Sequence, residues 1–539
     1  MSKVLRLFNT FTKVTNEVTL RNQLVEAGAQ NAKPSHGSLY ICGPTVYSDS
    51  HLGHALTYMR ADLFRRIMRS VFNVKLITAM NITDIDDKIL AKVKELPQSQ
   101  KATASPNPEK HPFNTVSEKY LKSFLDDMSY LRVEPPNLTI KVSKQVPLIM
   151  QYIKNLEETG HAYLTPDGDI NFDTSSVRGY VGRQARDLNQ TTNLSDYKRD
   201  QRDFALWKRA KPGEPVWTYH SDLKDQDVPG RPGWHVQCSA IASALFGKEL
   251  DFHYGGVDLV FPHHYNEEAC CCAYHKLDTS KTLHAWSKNW LHSGHLVIKD
   301  AKMSKSLGNV VPIKSFVENS SINSLRILCI ASHYRSNIDF HTDLVSRLKS
   351  IDHKLNAFLS YMSDGLKRVN SETLTLNDDC RSYSDLQGNL ELTRDNIIEG
   401  ICDDLDLERG LNAIMDLSAL IYNIGLDHIK TLDLVSAWYL VTEWLSMCGL
   451  EYGLTKASSD EFLLQMIRDF RQKVRNSTLL EMKRVRIQKE ANLSIDGDHD
   501  IQFLNSLLTE CDDVRARLDE LGFVERDNKT KHLSFTKKG

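Results

Sequence analysis

Hydrophobic and polar positions near the start of the chain alternate between strand-like and helix-like patterns. Residues 38–42 form a short apolar run that predicts a buried strand, and a loop containing Gly43 follows it. Apolar side chains then recur at helical spacing over residues 56–67, and residues 75–80 predict a second strand. A strand–helix–strand unit of this kind indicates a parallel sheet, with a ligand site expected at the carboxyl ends of its strands.

Further along, the pattern predicts an insertion and then a change of structural class. Residues 97–112 hold four of the 16 prolines and almost no apolar side chains, which predicts a surface insertion or flexible loop. Residues 137–230 mix a helix with short strands and lie between two halves of the sheet domain. Strand-like and loop patterns resume over residues 233–311, and beyond about residue 320 the periodicity is helical. We therefore expect an α/β parallel-sheet domain followed by an α-helical module.

The longest apolar stretch, residues 432–454, is interrupted by Asp433, Glu443 and Glu451, and it predicts an amphipathic helix rather than a membrane span. The N-terminus has no apolar stretch of signal-peptide length, so secretion is not expected. Without a secretory context, the 10 cysteines are interpreted as buried thiols and metal ligands rather than a disulfide framework. The composition is 41% hydrophobic and 25% charged residues, with a formal net charge of −2, and it does not identify a binding partner. Nucleic-acid binding must therefore be judged locally.

His51-Leu-Gly-His54 lies between the first predicted strand and the helix that follows it. A glycine there lets the backbone approach a ligand, the helix N-terminus offers unpaired N–H groups, and imidazoles at i and i+3 can donate to one phosphate. Taken alone, the tetrapeptide favours the simpler interpretation, a pair of histidines that merely begin a helix.

Lys302-Met-Ser-Lys-Ser306 places two lysines three residues apart on a predicted loop. Such lysines can close over a polyphosphate and neutralise the charge on a leaving group, although most short lysine clusters are solvated loops. In this order along the chain, the histidine and lysine motifs strongly resemble the paired signatures of the class I aminoacyl-tRNA synthetases. That resemblance implies a Rossmann-type catalytic domain, with His51, His54, Lys302 and Lys305 as catalytic residues and with ATP bound by His51, Gly53, His54, Asp258, Lys302, Ser304 and Lys305.

Four further side chains have the chemistry of metal ligands. Cys42 ends the first predicted strand, and Cys238 lies far along the chain in a Trp-His-Val-Gln-Cys segment. His263 and Glu267 are spaced to share a helix face. Their spacing alone identifies no zinc site, and without context both cysteines are better interpreted as buried core thiols. However, these segments resemble those of the cysteinyl-tRNA synthetase family, in which the four matching positions hold zinc in the amino-acid pocket.

The resemblance to this family covers nearly the whole chain. Matching segments include residues 81–88, 160–163, 230–234 and 255–258. Tyr265 and the triple cysteine at 270–272 depart from the family pattern, and we interpret His264 and these three cysteines as structural rather than as ligands. The resemblance implies that the substrate cysteine is bound by Cys42, Gly43, Thr83 and Trp234.

Zinc suits a site that must separate cysteine from serine and alanine. Apolar complementarity distinguishes groups of similar size by only about 1–3 kcal/mol. A thiolate, in contrast, is a soft zinc ligand that a serine hydroxyl cannot imitate at neutral pH. With four protein ligands the ion has no evident room for a catalytic water, so we expect it to recognise substrate rather than to hydrolyse. Selection at binding also removes the need for an editing domain, in agreement with the small size of the predicted insertion.

The family resemblance has further implications for cofactors, partners and domains. It implies one Zn²⁺ per chain, Mg²⁺ with ATP, the substrates L-cysteine and tRNA(Cys), a monomer, and no membrane partner. Because family-like sequence begins at the N-terminus, we expect a cytoplasmic protein. The expected domains are two catalytic halves at 1–136 and 231–300, a connective insertion at 137–230, a signature-loop junction at 301–350, a helical anticodon-binding domain at 351–480 and a small C-terminal region at 481–539.

Residues 468–489 carry eight Lys or Arg and two Asp or Glu, a local formal charge of +6 in a chain whose total is −2. A solvated helix face is the commoner meaning of such a run, but a helical basic stretch also fits phosphate contacts. Because the second half of the chain resembles the family's anticodon-binding bundle, we predict tRNA contacts from Arg475, Lys483, Arg484 and Arg486.

Two other functions stay open at this point. One is an ATP-dependent ligase that joins cysteine to an amino sugar, which shares the activation site but lacks the anticodon module. The long helical stretch beyond residue 350 argues against it. The other is a catalytically silent RNA- or zinc-binding relative, and the intact histidine and lysine motifs argue against that interpretation.

Overall fold

The computed structural model describes residues 3–20, 23–28, 35–97, 106–180, 197–280, 285–298, 301–302, 310–371, 386–453, 471, 474–475, 477–485 and 497–520. The chain forms two compact units, Met1–Glu451 and Tyr452–Gly539. The first elements of the first unit are β1 (Arg6–Asn9), β2 (Val14–Glu17), β3 (Thr19–Leu20), β4 (Gln23–Leu24), β5 (Ser35–Ile41), α1 (Leu52–Ser70), β6 (Val74–Ile82), α2 (Asp87–Lys94), α3 (Phe113–Tyr130), β7 (Leu138–Lys141) and α4 (Val146–Glu158).

The middle of the first unit alternates short strands with two helices. Its elements are β8 (Ala162–Leu164), β9 (Ile170–Phe172), β10 (Phe204–Arg209), β11 (Trp217–Ser221), β12 (Gln226–Pro232), α5 (Trp234–Phe246), β13 (Leu250–Gly256), α6 (Tyr265–Tyr274), β14 (Ser287–Ser293), β15 (Leu296–Ile298) and β16 (Ala301–Lys302). Beyond residue 310 the described chain is mainly helical. It contains α7 (Ile313–Glu318), α8 (Ile322–Ile330), β17 (Ile338–Asp339), α9 (Thr342–Ser371), α10 (Leu386–Cys402), α11 (Leu407–Ile424) and α12 (Thr431–Met447).

A five-stranded parallel sheet in the order β14–β13–β5–β6–β7 forms the centre of the first unit. The predicted α/β class is confirmed, and both strands and the helix predicted near the N-terminus are present as β5, β6 and α1. β7 pairs with β6, so the sheet continues to Lys141, past the domain boundary placed at residue 136 from the sequence.

The segment between β7 and β13 carries a separate antiparallel sheet in the order β11–β12–β10–β9–β8. Gly233, at the end of this sheet, has no room for a side chain, because a Cβ there would lie 1.9 Å from the carbonyl oxygen of Ala205. Asp87 of α2 forms ion pairs with Lys208, at 2.7 Å, and with Arg231. Although burial opposes its ionisation, these partners lower the pKa of Asp87 to about 2. The ion pairs therefore tie the antiparallel sheet to the parallel-sheet domain.

The stretch from residue 233 to 311 contains β13, β14, β15 and β16, as its strand-and-loop pattern predicts, and the helix expected around His263 and Glu267 is present, with α6 beginning at Tyr265. Helix α5 was not predicted. Positions 236–243 of α5 are buried without interruption. A helix covered on nearly all sides has no polar face, so the 3.6-residue contrast that identifies an amphipathic helix is absent. The strand-and-loop prediction was wrong for α5 for that reason.

Arg326 of α8 connects the parallel sheet to the helical part of the first unit. Its Nη2 lies 3.0 Å from Oδ2 of Asp62 on α1, and both side chains are 0% exposed. The same guanidinium donates to the carbonyl oxygens of Leu131, at 3.1 Å, and Cys448, at 3.3 Å. One buried side chain therefore holds α1, the end of α3 and the end of α12 together.

Asp404, at the corner between α10 and α11, forms a second connection. Its φ of 56° is in the left-handed region, which Asp tolerates better than most residues. Its carboxylate accepts hydrogen bonds from the Phe8 N–H at 2.8 Å, the Tyr334 hydroxyl at 2.9 Å and Nε of Arg335 at 2.7 Å. The helical corner is thereby attached to β1 and to the chain that follows α8.

The second unit contains helical residues 477–485 and α13 (Gly497–Glu520). Met482 and Val485 pack against Leu504 of α13 in a small apolar core. None of the helices that the structure describes is both long and apolar enough to cross a membrane. The loop predicted at 97–112 falls partly outside the described residues, and a helical turn spans Pro108–Lys110 within it.

Candidate active site and metal centre

The candidate site lies where the parallel strands end. Cys42 directly follows β5, Thr83 directly follows β6, and Asp258 comes two residues after β13. His51 begins α1, the helix that follows β5. Because the carboxyl ends of neighbouring parallel strands meet along one edge of a sheet, residues far apart in sequence come together there.

Cys42, Cys238, His263 and Glu267 converge at one buried point, with all donor atoms within 4.8 Å of one another. Sγ of Cys42 lies 3.7 Å from Sγ of Cys238, 3.6 Å from Nε2 of His263 and 3.3 Å from Oε1 of Glu267. The carboxylate is 0% exposed. Oε1 of Glu267 lies 2.8 Å from Nε2 of His263. Two sulfurs with one imidazole and one carboxylate are ligands that zinc takes in proteins. The donor set therefore fits a zinc ion.

Neighbouring side chains orient two of these four donors. Nδ1 of His263 lies 2.9 Å from Nδ1 of His235, and the His263 ring stacks on Trp234 at a centroid distance of 4.2 Å. Oε2 of Glu267 lies 3.0 Å from Nε2 of His253. Nε2 of His263 and Oε1 of Glu267 are thereby turned toward the thiols. Metal-binding imidazoles and carboxylates commonly have such a partner on their second donor atom.

A second donor set overlaps the first and combines Cys42 and Glu267 with His253 and His264. Nε2 of His264 lies 3.2 Å from Sγ of Cys42, and its Nδ1 lies 2.7 Å from Nε2 of His292. From the sequence, His264 was interpreted as structural, and no motif pointed to His253 or His292. Both of these lie on strands, where the sequence does not reveal which side chains face the site before the strand pairing is known.

The triple cysteine at 270–272 is buried in α6, and among the described residues it belongs to neither donor set. Cys271 contacts the hydroxyl of Tyr152 at 3.7 Å, and Cys272 contacts Oε1 of Glu268 at 3.4 Å. Their burial and these contacts agree with the structural interpretation of the three thiols, which stays a prediction.

The two cysteines of the predicted metal site differ in acidity. Burial raises the pKa of Cys42 well above its ordinary value, and its hydrogen bond to Cys238 acts in the same direction. Burial also opposes ionisation of Cys238, but donation from Cys42 and from His263 lowers the pKa of Cys238. Cys238 is thus the more acidic of the two thiols, and binding of a metal cation would favour the deprotonated form of both.

Gly43 and Thr83 flank the cluster just beyond the ends of β5 and β6. A Cβ at Gly43 would lie 1.6 Å from the carbonyl oxygen of Asn81, so no other residue fits without moving a strand. The Gly43 N–H donates to Oδ1 of Asn81 at 3.0 Å, and Nδ2 of Asn81 donates to the Thr83 hydroxyl at 3.1 Å. Gly43 and Thr83 are therefore joined through one amide beside Cys42. No role for Asn81 was predicted from the sequence.

His51 and His54 form a reciprocal cap at the start of α1. Nδ1 of His51 accepts the Gly53 N–H at 3.1 Å, and Nδ1 of His54 accepts the His51 N–H at 3.4 Å. The two rings lie 4.0 Å apart. A Cβ at Gly53 would lie 2.9 Å from Cε1 of His51, which explains the glycine. The motif thus places two imidazoles at a helix N-terminus, where anionic oxygens are stabilised.

The lysine motif is described only at its first residue. The backbone of Lys302 belongs to β16, which pairs with β15, whereas Ser304 and Lys305 lie outside the described residues. Beyond the motif, the Leu52 N–H donates to the carbonyl oxygen of Val311 at 3.1 Å. The chain that follows the lysine motif therefore contacts the first residues of α1.

Asp258 lies on the short turn Val257–Leu259, and its carboxyl group is 46% exposed. A Cβ at Gly256 would lie 2.6 Å from Oδ1 of Asp258, so the glycine makes room for this side chain. Nδ1 of His295 lies 3.9 Å from the same oxygen. An accessible acceptor is thus positioned at the end of a strand that neighbours β5.

Phe11, which follows β1, reaches the same region. Its ring stacks on Trp290 at 4.3 Å and on Tyr265 at 4.3 Å. Trp290 in turn stacks on His253 at 4.2 Å. No motif pointed to Phe11, because an isolated aromatic near a terminus has no diagnostic spacing.

The predicted tRNA-binding residues lie in the second unit. Arg475 pairs with Asp512 at 2.7 Å, and Lys483 and Arg484 are exposed on a helix whose other face is apolar. Arg486 lies outside the described residues. This arrangement is that of an ordinary amphipathic helix and leaves the tRNA contacts as a prediction.

Comparisons with known proteins give the family. A protein-family model described as "tRNA synthetases class I (C) catalytic domain" matches residues 29–350. The chain is 30% identical to a cysteine–tRNA ligase of Methanococcus maripaludis over 99% of both proteins, and 31% identical to one of Encephalitozoon cuniculi over 98% of both. It is also 36% identical, over 76% of its length, to a probable mitochondrial cysteine–tRNA ligase of Xenopus tropicalis, of which it covers 66%.

Solved structures agree at the level of fold. The methionyl-tRNA synthetase of Mycobacterium tuberculosis in complex with methionyl-adenylate matches with a TM-score of 0.54 and 12% identity, over 80% of this chain and 93% of that one. A LeuRS–tRNA–LeuAMS complex from Agrobacterium radiobacter matches with a TM-score of 0.55 and 11% identity, over 78% of this chain and 84% of that one. With a family model over more than half its length and full-length relatives of the same kind, the chain belongs to the class I tRNA synthetases, among the cysteine–tRNA ligases.

Proposed function

We propose that this chain attaches L-cysteine to tRNA(Cys) in two steps that consume ATP. In the first step, the carboxylate of cysteine attacks the α-phosphorus of ATP, and pyrophosphate leaves. In the second, a ribose hydroxyl at the 3′ end of the tRNA attacks the carbonyl carbon of cysteinyl adenylate, and AMP leaves. The observation that carries the proposal is a buried Cys₂HisGlu donor set at the sheet edge, in a chain that matches cysteine–tRNA ligases along its whole length.

The amino-acid pocket is built around the donor set. Cys42, Cys238, His263 and Glu267 would hold one Zn²⁺, and the bound ion supplies a soft Lewis acid that accepts the substrate sulfur as a thiolate. Two observations support this zinc site. All four donor atoms lie within 4.8 Å of one another, and hydrogen bonds from His235 and His253 orient the donor atoms of His263 and Glu267 toward the thiols. The overlapping set that contains His253 and His264 has one sulfur instead of two, which makes it the less suitable choice for zinc with a thiolate substrate. Gly43, Thr83 and Trp234 would complete the pocket.

The ATP site would lie between α1 and the lysine motif. His51 and His54 would bind the α-phosphate, where the N-terminus of α1 adds a favourable field for negative charge. Asp258 would accept hydrogen bonds from the ribose of adenosine. Lys302 and Lys305, with Ser304, would bind the β- and γ-phosphates and stabilise the departing pyrophosphate, sharing its charge with Mg²⁺. The contact between Leu52 and Val311 supports this placement, because it joins α1 to the chain that follows the lysine motif.

Three aspects of the proposal rest on the sequence alone. Arg475, Lys483, Arg484 and Arg486 are proposed to contact tRNA. A monomer and a cytoplasmic location are the corresponding expectations for assembly and compartment. One relative is named as mitochondrial, so fractionation of cells that express the full chain is the measurement for the compartment.

The test separates phosphate binding from helix capping. Asn is a strong N-cap and Gln completes a capping box, so the double variant His51→Asn/His54→Gln keeps the start of α1 and removes both imidazoles. We expect cysteine-dependent ATP–pyrophosphate exchange to fall about 100- to 1,000-fold, with an unchanged melting temperature. Exchange within a few fold of wild type would reject the role of the histidines. If the wild-type protein charges tRNA with serine as readily as with cysteine, the proposed specificity for cysteine is refuted.

A further inference from the structure

Arg60, on α1, is a buried cation whose contacts are all uncharged. It is 3% exposed. Its guanidinium donates to the carbonyl oxygen of Gly294 at 3.2 Å, the hydroxyl of Ser332 at 3.2 Å and the carbonyl oxygen of His333 at 3.5 Å. Within the described part of the chain, no carboxylate forms an ion pair with Arg60. A buried guanidinium without a counter-charge is strongly disfavoured, so its positive charge calls for an anion.

Nearby carboxylates are already matched by other guanidinium groups. Oδ2 of Asp62, on the same helix, lies 2.8 Å from Nε of Arg66 and 3.0 Å from Nη2 of Arg326. Oδ2 of Asp404 lies 2.7 Å from Nε of Arg335. Each acid thus has at least one cation in direct contact. The charge of Arg60 is therefore in excess in this part of the protein.

A small cavity of about 20 Å³ is lined by Arg60 and Tyr254. Nε of Arg60 and the hydroxyl of Tyr254 are both buried, and among the described residues neither forms a hydrogen bond of good geometry, although the Ser293 side chain lies close to that hydroxyl. The rest of the lining consists of apolar side chains, the Cys329 thiol and Tyr334, whose hydroxyl donates to Asp404 at 2.9 Å. A cavity of more than about 10–15 Å³ accommodates one water-sized particle. The volume, two polar hydrogens and an excess positive charge together suit a single small anion.

We propose that this cavity binds one small monovalent anion, chloride in solution, through the N–H of Arg60 and the hydroxyl of Tyr254. The anion neutralises a cation that joins three parts of the first unit. These are α1, which begins with His51, the turn at Gly294 after β14, and the chain at Ser332 after α8. Chloride therefore stabilises the contact between the parallel sheet and the helical region.

Matched variants on one helix test this site by thermal unfolding of the full chain. Arg60→Met removes the cation. Arg65→Met removes the same charge and volume from a side chain that donates instead to the carbonyl oxygens of Glu134, at 2.6 Å, and Pro135, at 3.0 Å. At constant ionic strength, we expect wild type and Arg65→Met to melt at least about 2 °C higher in sodium chloride than in sodium gluconate. Arg60→Met should lose this difference, and Tyr254→Phe should require more chloride to reach it. An equal difference in wild type and Arg60→Met would overturn the proposal.

Bromide gives a second readout that requires no variant. Crystals of the wild-type protein grown in sodium bromide should show an anomalous peak within hydrogen-bond distance of Nε of Arg60. A peak there supports the site even if Arg60→Met does not fold. Ordered water at that position without an anomalous signal, or no density, would overturn the proposal.

Discussion

Asp62→Asn tests how the helix that begins with His51 is held against the rest of the first unit. Asp62 and Arg326 are each 0% exposed, and their charged groups lie 3.0 Å apart. In this variant Arg326 keeps its carbonyl acceptors but loses the charge that compensates it. Removing one partner from a buried ion pair costs about 3–5 kcal/mol. Arg66 also contacts Asp62, but it is 16% exposed and keeps Glu134 at 3.4 Å, so it adds little to the cost.

The converse variant, Arg326→Met, should cost less. Asp62 would retain Arg66 at 2.8 Å and the N–H of Glu134 at 2.9 Å, so its charge stays compensated. The remaining loss is that of the hydrogen bonds to backbone carbonyls, about 1–3 kcal/mol in total. The double variant Asp62→Asn/Arg326→Met leaves neither charge, and it should therefore be more stable than Asp62→Asn alone.

Urea unfolding followed by tryptophan fluorescence measures these costs. All 7 tryptophans lie between residues 207 and 444, within Met1–Glu451, so the signal reports the first unit. Asp364→Asn is the matched control, because Asp364 pairs with Lys367 on the surface and is 65% exposed. An exposed pair contributes at most about 1 kcal/mol. If Asp62→Asn proves as stable as Asp364→Asn, the estimate for the buried ion pair is refuted. If Arg326→Met proves less stable than Asp62→Asn, the predicted difference between the two single variants is refuted.

Two further predictions concern the corner at Asp404 and the ion pairs of Asp87. Asp404→Ala removes three hydrogen bonds and places alanine at a φ of 56°, whereas Asp404→Asn tolerates that φ, so the alanine variant should have the lower melting temperature. Equal melting temperatures would contradict this. The pKa of Asp87 falls from 3.8 to about 2 on folding, so its stabilising contribution is complete above pH 3.8 and disappears as the pH falls through 2. Asp87→Asn should therefore lower the urea midpoint of the first unit at pH 5 but not at pH 2, and an equal loss at both values would exclude the ion pairs as its cause.

The sequence pattern was sufficient to locate those site residues that lie at strand ends and a helix start, whereas Cys238, His263 and Glu267 were assigned only through the family resemblance. Once β5 and β6 are identified as parallel neighbours, Cys42, Thr83 and His51 must meet at one edge of the sheet. His253 and His292 could not be predicted, since they lie on β13 and β14. Which side chains of those strands face the site depends on a pairing register that no local pattern specifies.

The helical interior shows the same limit for a different reason. α5 was missed because eight consecutive residues, 236–243, are buried, and a helix buried around its circumference lacks the periodic contrast between an apolar and a polar face on which the prediction depends. The connection made by Asp404 could not be predicted either, because it joins β1 to a helical corner at a sequence separation of 396 residues from Phe8.

Cobalt substitution tests most directly whether a metal at the buried donor set selects the substrate. With Co²⁺ in place of Zn²⁺, each thiolate ligand gives a sulfur-to-cobalt charge-transfer band. The four-residue site predicts a band from Cys42 and Cys238 that increases when L-cysteine is added and does not change with L-serine. Cys238→Ser should halve the initial band, whereas Cys270→Ser, a buried thiol outside the donor set, should leave it intact. A cobalt spectrum that is unchanged by cysteine, or that responds equally to serine, would contradict recognition of the substrate thiolate by the metal.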